Sequence, residues 1–268
     1  MIAVRFLCAA ILVLGVCTEA RAEDSSTPRH LLRSVRAFKD GRYDEALVEL
    51  RLVARAPDAP PDLAFYLGPT LYKLKRYDEA LAVFAASRAA PDALTDFYRG
   101  ETCYQLKLYR TARAVFAALR TRGLGPALDE AAGRYVDAVD AAYKRAPATA
   151  SIDYYLAQGL ERARREPVLA SEYLDEARQV EALAATRHRH GEIVTALAAA
   201  WNASGRPQAV VDLLAVERPL TPELTWELAR ALVAQGDATR ARALLEDIVK
   251  AHGAHGNAAA ALLATLPP

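Results

Sequence analysis

Between residues 126 and 145, Leu128, Ala132, Tyr135, Val139, Ala142 and Tyr143 fall on one helical face at three- and four-residue steps. Gly123-Leu124-Gly125-Pro126 breaks the pattern ahead of this stretch, and Ala146-Pro147-Ala148 ends it. Residues 126–145 therefore read as one longer helix joining what lies on either side. Upstream the apolar pattern comes in shorter pieces that repeat. RYDEAL stands at 42–47 and again at 76–81. Tyr43, Tyr77 and Tyr109 are spaced 34 and 32 residues apart, as are Ala46, Ala80 and Ala112. Leu50, Phe84 and Phe116 follow the same register, and Pro57 and Pro91 close the first two units. Each unit predicts two antiparallel helices with a turn just before its tyrosine.

Downstream the repetition is weaker. Thr221-Pro222-Glu223 reads as an N-cap followed by proline at the first helical position. The following ELARALVAQGDATRARALLEDIV makes a full unit, with Leu228, Ala229, Gly236, Ala241 and Leu245 in the repeat's places. Gly205-Arg206-Pro207 marks another turn, although its alanine comes one residue early. Residues 151 to 185 predict a further helix pair with Ala170, Leu174 and Ala177 at roughly the repeat's places, and 257 to 266 a short covering helix.

A unit of about 34 residues with small residues at fixed places resembles the tetratricopeptide repeat. Leu67-Gly68, Tyr77, Ala80, Phe84 and Pro91 carry the resemblance in the second unit, where Lys75 stands for the turn glycine. Gly41-Arg42-Tyr43 and Ala46 carry it in the first, with Ser34 in place of the first-helix glycine. Gly100, Tyr109, Ala112 and Phe116 carry it in the third, with Leu106-Lys107 at the turn. The resemblance implies an all-α fold, a right-handed α-solenoid of stacked antiparallel helix pairs. Gly68 is expected to lie against Ala80 and Gly100 against Ala112. Three repeats occupy 23–122, a connecting helix 123–150, and a degenerate array with a capping helix 151–268. Each unit exposes apolar surface until a neighbour covers it, which favours one continuous superhelix; the break at 123–126 leaves two separate arrays as the alternative.

The first 22 residues stand apart. One positive charge precedes the apolar run Phe6–Val16, and Ala20-Arg21-Ala22 supplies a small-x-small cleavage pattern. This predicts a signal peptide cleaved after Ala22 and an exported, periplasmic protein. The alternative is lipid anchoring at Cys17, for which Val16 is the wrong neighbour. The apolar run falls short of the roughly 20 residues that span a bilayer, so no transmembrane segment is expected in the mature chain. Cleavage leaves Cys103 as the one cysteine and removes any internal disulfide. Cys103 itself falls where the repeat buries a side chain and reads as a core thiol.

With 34 basic and 33 acidic residues no global field steers the chain to nucleic acid. The sequence holds no Gly-x-Ser-x-Gly, His-Glu-x-x-His, phosphate loop or paired-cysteine pattern, so no catalytic residue, metal or cofactor is expected. Arg187-His188-Arg189-His190 reads as a solvated helix start, because its histidines are two apart and its arginines repel a cation. Asn202-Ala203-Ser204 forms a sequon that reads as the end of a helix.

In the tetratricopeptide family the second, fifth, ninth, twelfth and thirteenth positions of each first helix face a concave groove. Carried over, the resemblance places Leu31, Val35, Phe38 and Lys39 there, then Phe65, Tyr72 and Lys73, then Phe97, Glu101, Tyr104 and Gln105. Trp226 takes a fifth position in the C-terminal half, as a partner anchor or as filler between units. The family's carboxylate clamp is absent, since its positions hold Leu31, Val35, Tyr66, Leu94 and Tyr98. The expected role is a non-catalytic scaffold of the bacterial envelope that holds a protein or peptide partner in the groove and assists assembly or localisation of a complex. The alternatives are an accessory domain for cell-wall glycan enzymes and an enzyme with an unrecognised site. A glycan reader would set several carboxylates and amides beside its aromatics, whereas here only Glu101 and Gln105 accompany them.

Overall fold

The computed structural model describes residues 26–87, 92–123, 125–145, 149–184 and 186–267. The expected signal peptide, with its cleavage point at Ala22 and Cys17, lies outside the described residues. Every regular element among those described is a helix. The chain divides into two compact units, 1–142 and 143–268, within the seventh helix.

In the first unit α1 (Ser26–Lys39) pairs with α2 (Tyr43–Arg55), α3 (Ala64–Lys73) with α4 (Tyr77–Ala86), and α5 (Ala93–Gln105) with α6 (Tyr109–Thr121). Helix α2 also packs on α3, α4 on α5, and the first helices α3 and α5 on each other, so each pair is covered by the next. Helix α7 (Pro126–Arg145) follows. The three repeat tyrosines Tyr43, Tyr77 and Tyr109 are the first residues of the three second helices. Ala46, Ala80, Ala112, Leu50 and Phe116 are all but completely buried.

The small residues work differently from the sequence expectation. The space left by the missing side chain of Gly68 is filled by the ring of Phe84, and that of Gly100 by the ring of Phe116, whose nearest atom would stand 2.8 Å from an added Cβ. The aromatic in each second helix lies directly on the glycine of its partner helix. The alanines are buried too, but the ring is the nearest neighbour. Two helices approach this closely only where one surrenders its side chain.

The turns carry the repeat more faithfully than the letters do. Gly41, Gly205 and Gly236 adopt φ of 75°, 72° and 80°, and Lys75 and Lys107 hold the same left-handed place at 59° and 63°. In each case the next amide donates to a carbonyl five residues back: Arg42 to Ala37, Arg76 to Leu71, Leu108 to Cys103, Arg206 to Trp201 and Asp237 to Leu232, at 2.8–3.0 Å. This double-bonded helix end outweighs the roughly 1–2 kcal/mol that a side chain costs in left-handed backbone.

The second unit continues with α8 (Thr149–Arg162), α9 (Pro167–Leu183), α10 (His190–Ala203), α11 (Pro207–Ala215), α12 (Pro222–Gln235), α13 (Ala238–Lys250) and α14 (Gly256–Leu263). Consecutive helices pack together, and the first helices α8, α10 and α12 touch in series. Gly159 lies against the Leu174 side chain, repeating the glycine-on-large-residue contact with an aliphatic partner. Thr221 caps α12 by accepting from the Leu224 amide, and Pro222 opens it, as the sequence predicts. Where the alanine comes early, Val210 occupies the buried place instead. Cys103 is fully buried in the first unit.

One reading is corrected in this unit and another is extended. His190 is not merely solvated: its Nδ1 faces Glu181 at 2.9 Å and its Nε2 faces Glu217 at 3.0 Å. Glu181 also accepts from the Arg189 amide at 2.9 Å. Asn202 ends its helix but is tied down, donating to the Glu227 carbonyl at 2.9 Å and its carboxylate at 2.7 Å.

Candidate functional site

The first unit brings four of the expected groove residues, Tyr72, Lys73, Glu101 and Tyr104, to one place. Tyr72 and Lys73 close α3, Glu101 and Tyr104 occupy the second half of α5, and Tyr135 comes from the middle of α7. The Tyr135 hydroxyl donates to Glu101 Oε1 at 2.9 Å, and the Tyr72 hydroxyl is hydrogen-bonded to the same carboxylate. From this carboxylate a row of rings extends both ways. On one side Tyr72 lies 5.6 Å from Tyr77 and 5.4 Å from Tyr98, and on the other Tyr135 lies 5.1 Å from Tyr104, which lies 5.4 Å from Tyr109. Aromatic pairs in tilted and edge geometries contribute about 0.5–1.5 kcal/mol each beyond their burial.

Lys73 completes the cluster. Its ammonium lies 5.8 Å from the centre of the Tyr72 ring and 5.4 Å from that of Tyr98, within the range of cation–π attraction. Burial raises the Glu101 carboxyl above its ordinary value, opposed by the hydrogen bonds from Tyr135 and Tyr72 and by the Lys73 charge. Burial likewise pushes Tyr98 up to about 12, aided by the Glu101 charge and by Tyr43. Tyr72 and Tyr135 are raised further, again mainly by burial and next by Glu101. The tyrosines stay protonated over the working range and can donate.

The remaining expected residues are placed as follows. Phe97 is buried, edge-on to Phe116 at 5.4 Å and to Tyr135 at 6.2 Å, and supports the row from beneath. Phe38 is buried against Tyr43 at 5.2 Å. Neither offers a partner much surface. Phe65 is half-buried and lines a crevice of about 10 Å³ with Val35, Phe38 and Pro69, room for about one water. Trp226, in the second unit, is not part of this cluster. It stacks on His255 at 5.3 Å, with the Arg230 guanidinium 5.9 Å from its ring, and packs on the cluster of Ala229, Leu245, Ile248 and Ala259. His255 also lines an open cleft of about 250 Å³ with Leu220, Pro222 and Ile248.

Tyr98 and Tyr135 belong to the site without having been expected there. Tyr135 stands 34 residues after Glu101, one repeat further on, so the spacing that defined the units also pointed to it. Tyr98 precedes Glu101 by three residues and shares its side of α5. Among the described residues no group of histidine, cysteine and carboxylates is placed to hold a metal ion, and no helix is long and apolar enough to cross a membrane.

No family model matches the chain, and no curated protein matches it. Among solved structures it is similar to the TPR2AB domain of yeast Sti1 in its pHSP90 complex, at 12% identity over 89% of this chain and 97% of that one, with a TM-score of 0.37. It is also similar to the TPR domain of P58(IPK), at 11% identity over 90% of this chain and 64% of that one, with a TM-score of 0.37. The architecture itself rests on the helix pairs, their left-handed turns and the glycine-on-ring contacts: the described residues form an all-α helical repeat of stacked helix pairs.

Proposed function

We propose that the protein is a non-catalytic interaction scaffold whose first unit binds a peptide segment of a partner across the row of tyrosines around Glu101. One observation carries this reading. Tyr72, Glu101, Tyr104 and Tyr135 come from three helices, are only half-buried, and form a continuous polar-aromatic strip with phenol hydroxyls that can still accept hydrogen bonds. Half-buried tyrosines present large, rigid contact area with little entropy left to lose, the property that makes them binding anchors. The tetratricopeptide family's carboxylate clamp is missing here, its positions being held by Leu31, Val35, Tyr66, Leu94 and Tyr98, so a terminal carboxylate is not the expected ligand. Export is part of the proposal: the charged start, apolar run and Ala20-Arg21-Ala22 of the sequence support a periplasmic protein acting in envelope assembly.

The test is selection of random peptides on the immobilised full chain, followed by titration of a recovered peptide. Binding that falls at least about tenfold in Tyr72→Ala and Tyr104→Ala, with the fold intact, supports the reading. Recovery of no peptide, or equal binding by both variants, overturns it. For export, amino-terminal sequencing of the protein from a periplasmic extract should begin at Glu23; a chain retaining Met1 contradicts the proposal.

A further inference from the structure

Glu101 is the charge on which the tyrosine strip converges. Its carboxylate takes one hydrogen bond from Tyr135 at 2.9 Å and one from Tyr72, and beside it stand Tyr98 and Tyr104 on its own helix. The cation that acts on it is Lys73, whose ammonium lies over the rings of Tyr72 and Tyr98 rather than in a bidentate pair with the carboxylate. Lys73 is the last residue of α3, half-exposed, and its flexible stem can swing into solvent. The half-buried ring of Tyr72 and a half-sunk carboxylate, backed by the buried ring of Tyr98 beneath Lys73, thus form a seat for a positive charge, held in the free protein by one of its own side chains.

The seat discriminates among partners. An acidic segment brings like charge against Glu101. A purely apolar segment strips water from that carboxylate while offering it no cation, which is costly. A guanidinium or ammonium gains the ring quadrupoles and the carboxylate together, and a guanidinium can take both carboxylate oxygens. The geometry points to this seat as the recognition point for a lysine or arginine side chain of the partner peptide, which takes the place of Lys73. The inference rests on the reading that the first unit binds a peptide.

The experiment uses the full chain with 13C-labelled tyrosine rings, titrated with N-acetyl-arginine methylamide and, as a neutral control of similar length, N-acetyl-norleucine methylamide. Signals assigned through Tyr72→Phe and Tyr98→Phe are expected to move with the arginine amide and not with the norleucine amide. Lys73→Met should tighten arginine-amide binding at least about threefold, because the resident cation is gone, and Glu101→Gln should weaken it at least about threefold. Thermal melts of both variants check that the fold persists. No response to the arginine amide, an equal response to norleucine amide, or a smaller or opposite effect of Lys73→Met overturns the inference. In that event peptides selected on the chain still bind but carry no common basic residue, whereas failure of the broader reading shows as no selected peptides.

Discussion

The hydroxyl of Tyr135 on α7 donates to the carboxylate of Glu101 on α5 at 2.9 Å, across a separation of 34 residues. This bond, with its counterpart from Tyr72, holds a carboxylate half out of water among aromatic rings. The consequence is testable through pH. Burial raises the folded-state pKa of Glu101, so the chain binds more protons here folded than unfolded. The stability this contributes is complete below the ordinary carboxylate value and is lost as pH rises through the raised one. Glu101→Gln should therefore gain on the wild type as the medium goes from acid to neutral, read from urea midpoints at several pH values. Parallel curves contradict it.

The same sign holds at alkaline pH. Tyr98, pushed up to about 12, stabilises the fold below the ordinary phenol value near 10 and ceases to do so as pH passes its folded value. Tyr66, Tyr72, Tyr109 and Tyr135 are raised as well. A tyrosinate absorbance titration should show these phenols ionising late and together with loss of helical circular dichroism. A single smooth titration at the ordinary value, with the helix intact, contradicts the packing described.

Gly68→Ala should cost about 1–3 kcal/mol in urea unfolding, because the new methyl meets the Phe84 ring. Gly100→Ala should follow, against Phe116. Gly133→Ala is the control: its nearest neighbour, Arg120, stands 3.9 Å from an added Cβ, so the change should be neutral or slightly stabilising.

Lys75→Gly and Lys107→Gly should each stabilise the protein by about 0.5–1 kcal/mol, since both lysines hold left-handed backbone that glycine adopts without strain. The gain is limited because glycine also loosens the unfolded chain. A loss of stability in both variants would show that these turns are not held in that conformation.

His190→Ala should destabilise the second unit by about 1–3 kcal/mol, leaving the nearly fully buried Glu181 with the Arg189 amide alone. A double-mutant cycle with Glu217→Gln isolates the second arm of the bridge. An additive cycle contradicts direct coupling.

These positions differ in how far the sequence disclosed them. The helix starts at Tyr43, Tyr77 and Tyr109 were legible because six repeated letters fix both the period and the phase. The turns were half legible: Lys75 and Lys107 look like departures from glycine, yet the backbone keeps its form because two hydrogen bonds at the helix end hold it. The bridge at His190 was not legible, since its carboxylates lie 9 and 27 residues away while the adjacent arginines suggest an unpartnered surface. At the candidate site, register alone found Tyr72, Lys73, Glu101 and Tyr104. It could not separate them from Phe38 and Phe97, which share the register but are turned into the packing by Tyr43 and Phe116. Register says which way a position faces; whether its ring is covered depends on neighbours a repeat away.

Hydrogen–deuterium exchange on the full chain, with and without a saturating peptide selected on it, tests the central claim most directly. Protection concentrated at the end of α3, the second half of α5 and the middle of α7, around Tyr72, Glu101 and Tyr135, is the predicted result. Protection confined to the second unit, or spread over the second helices α2, α4 and α6 with none at those three places, would contradict it.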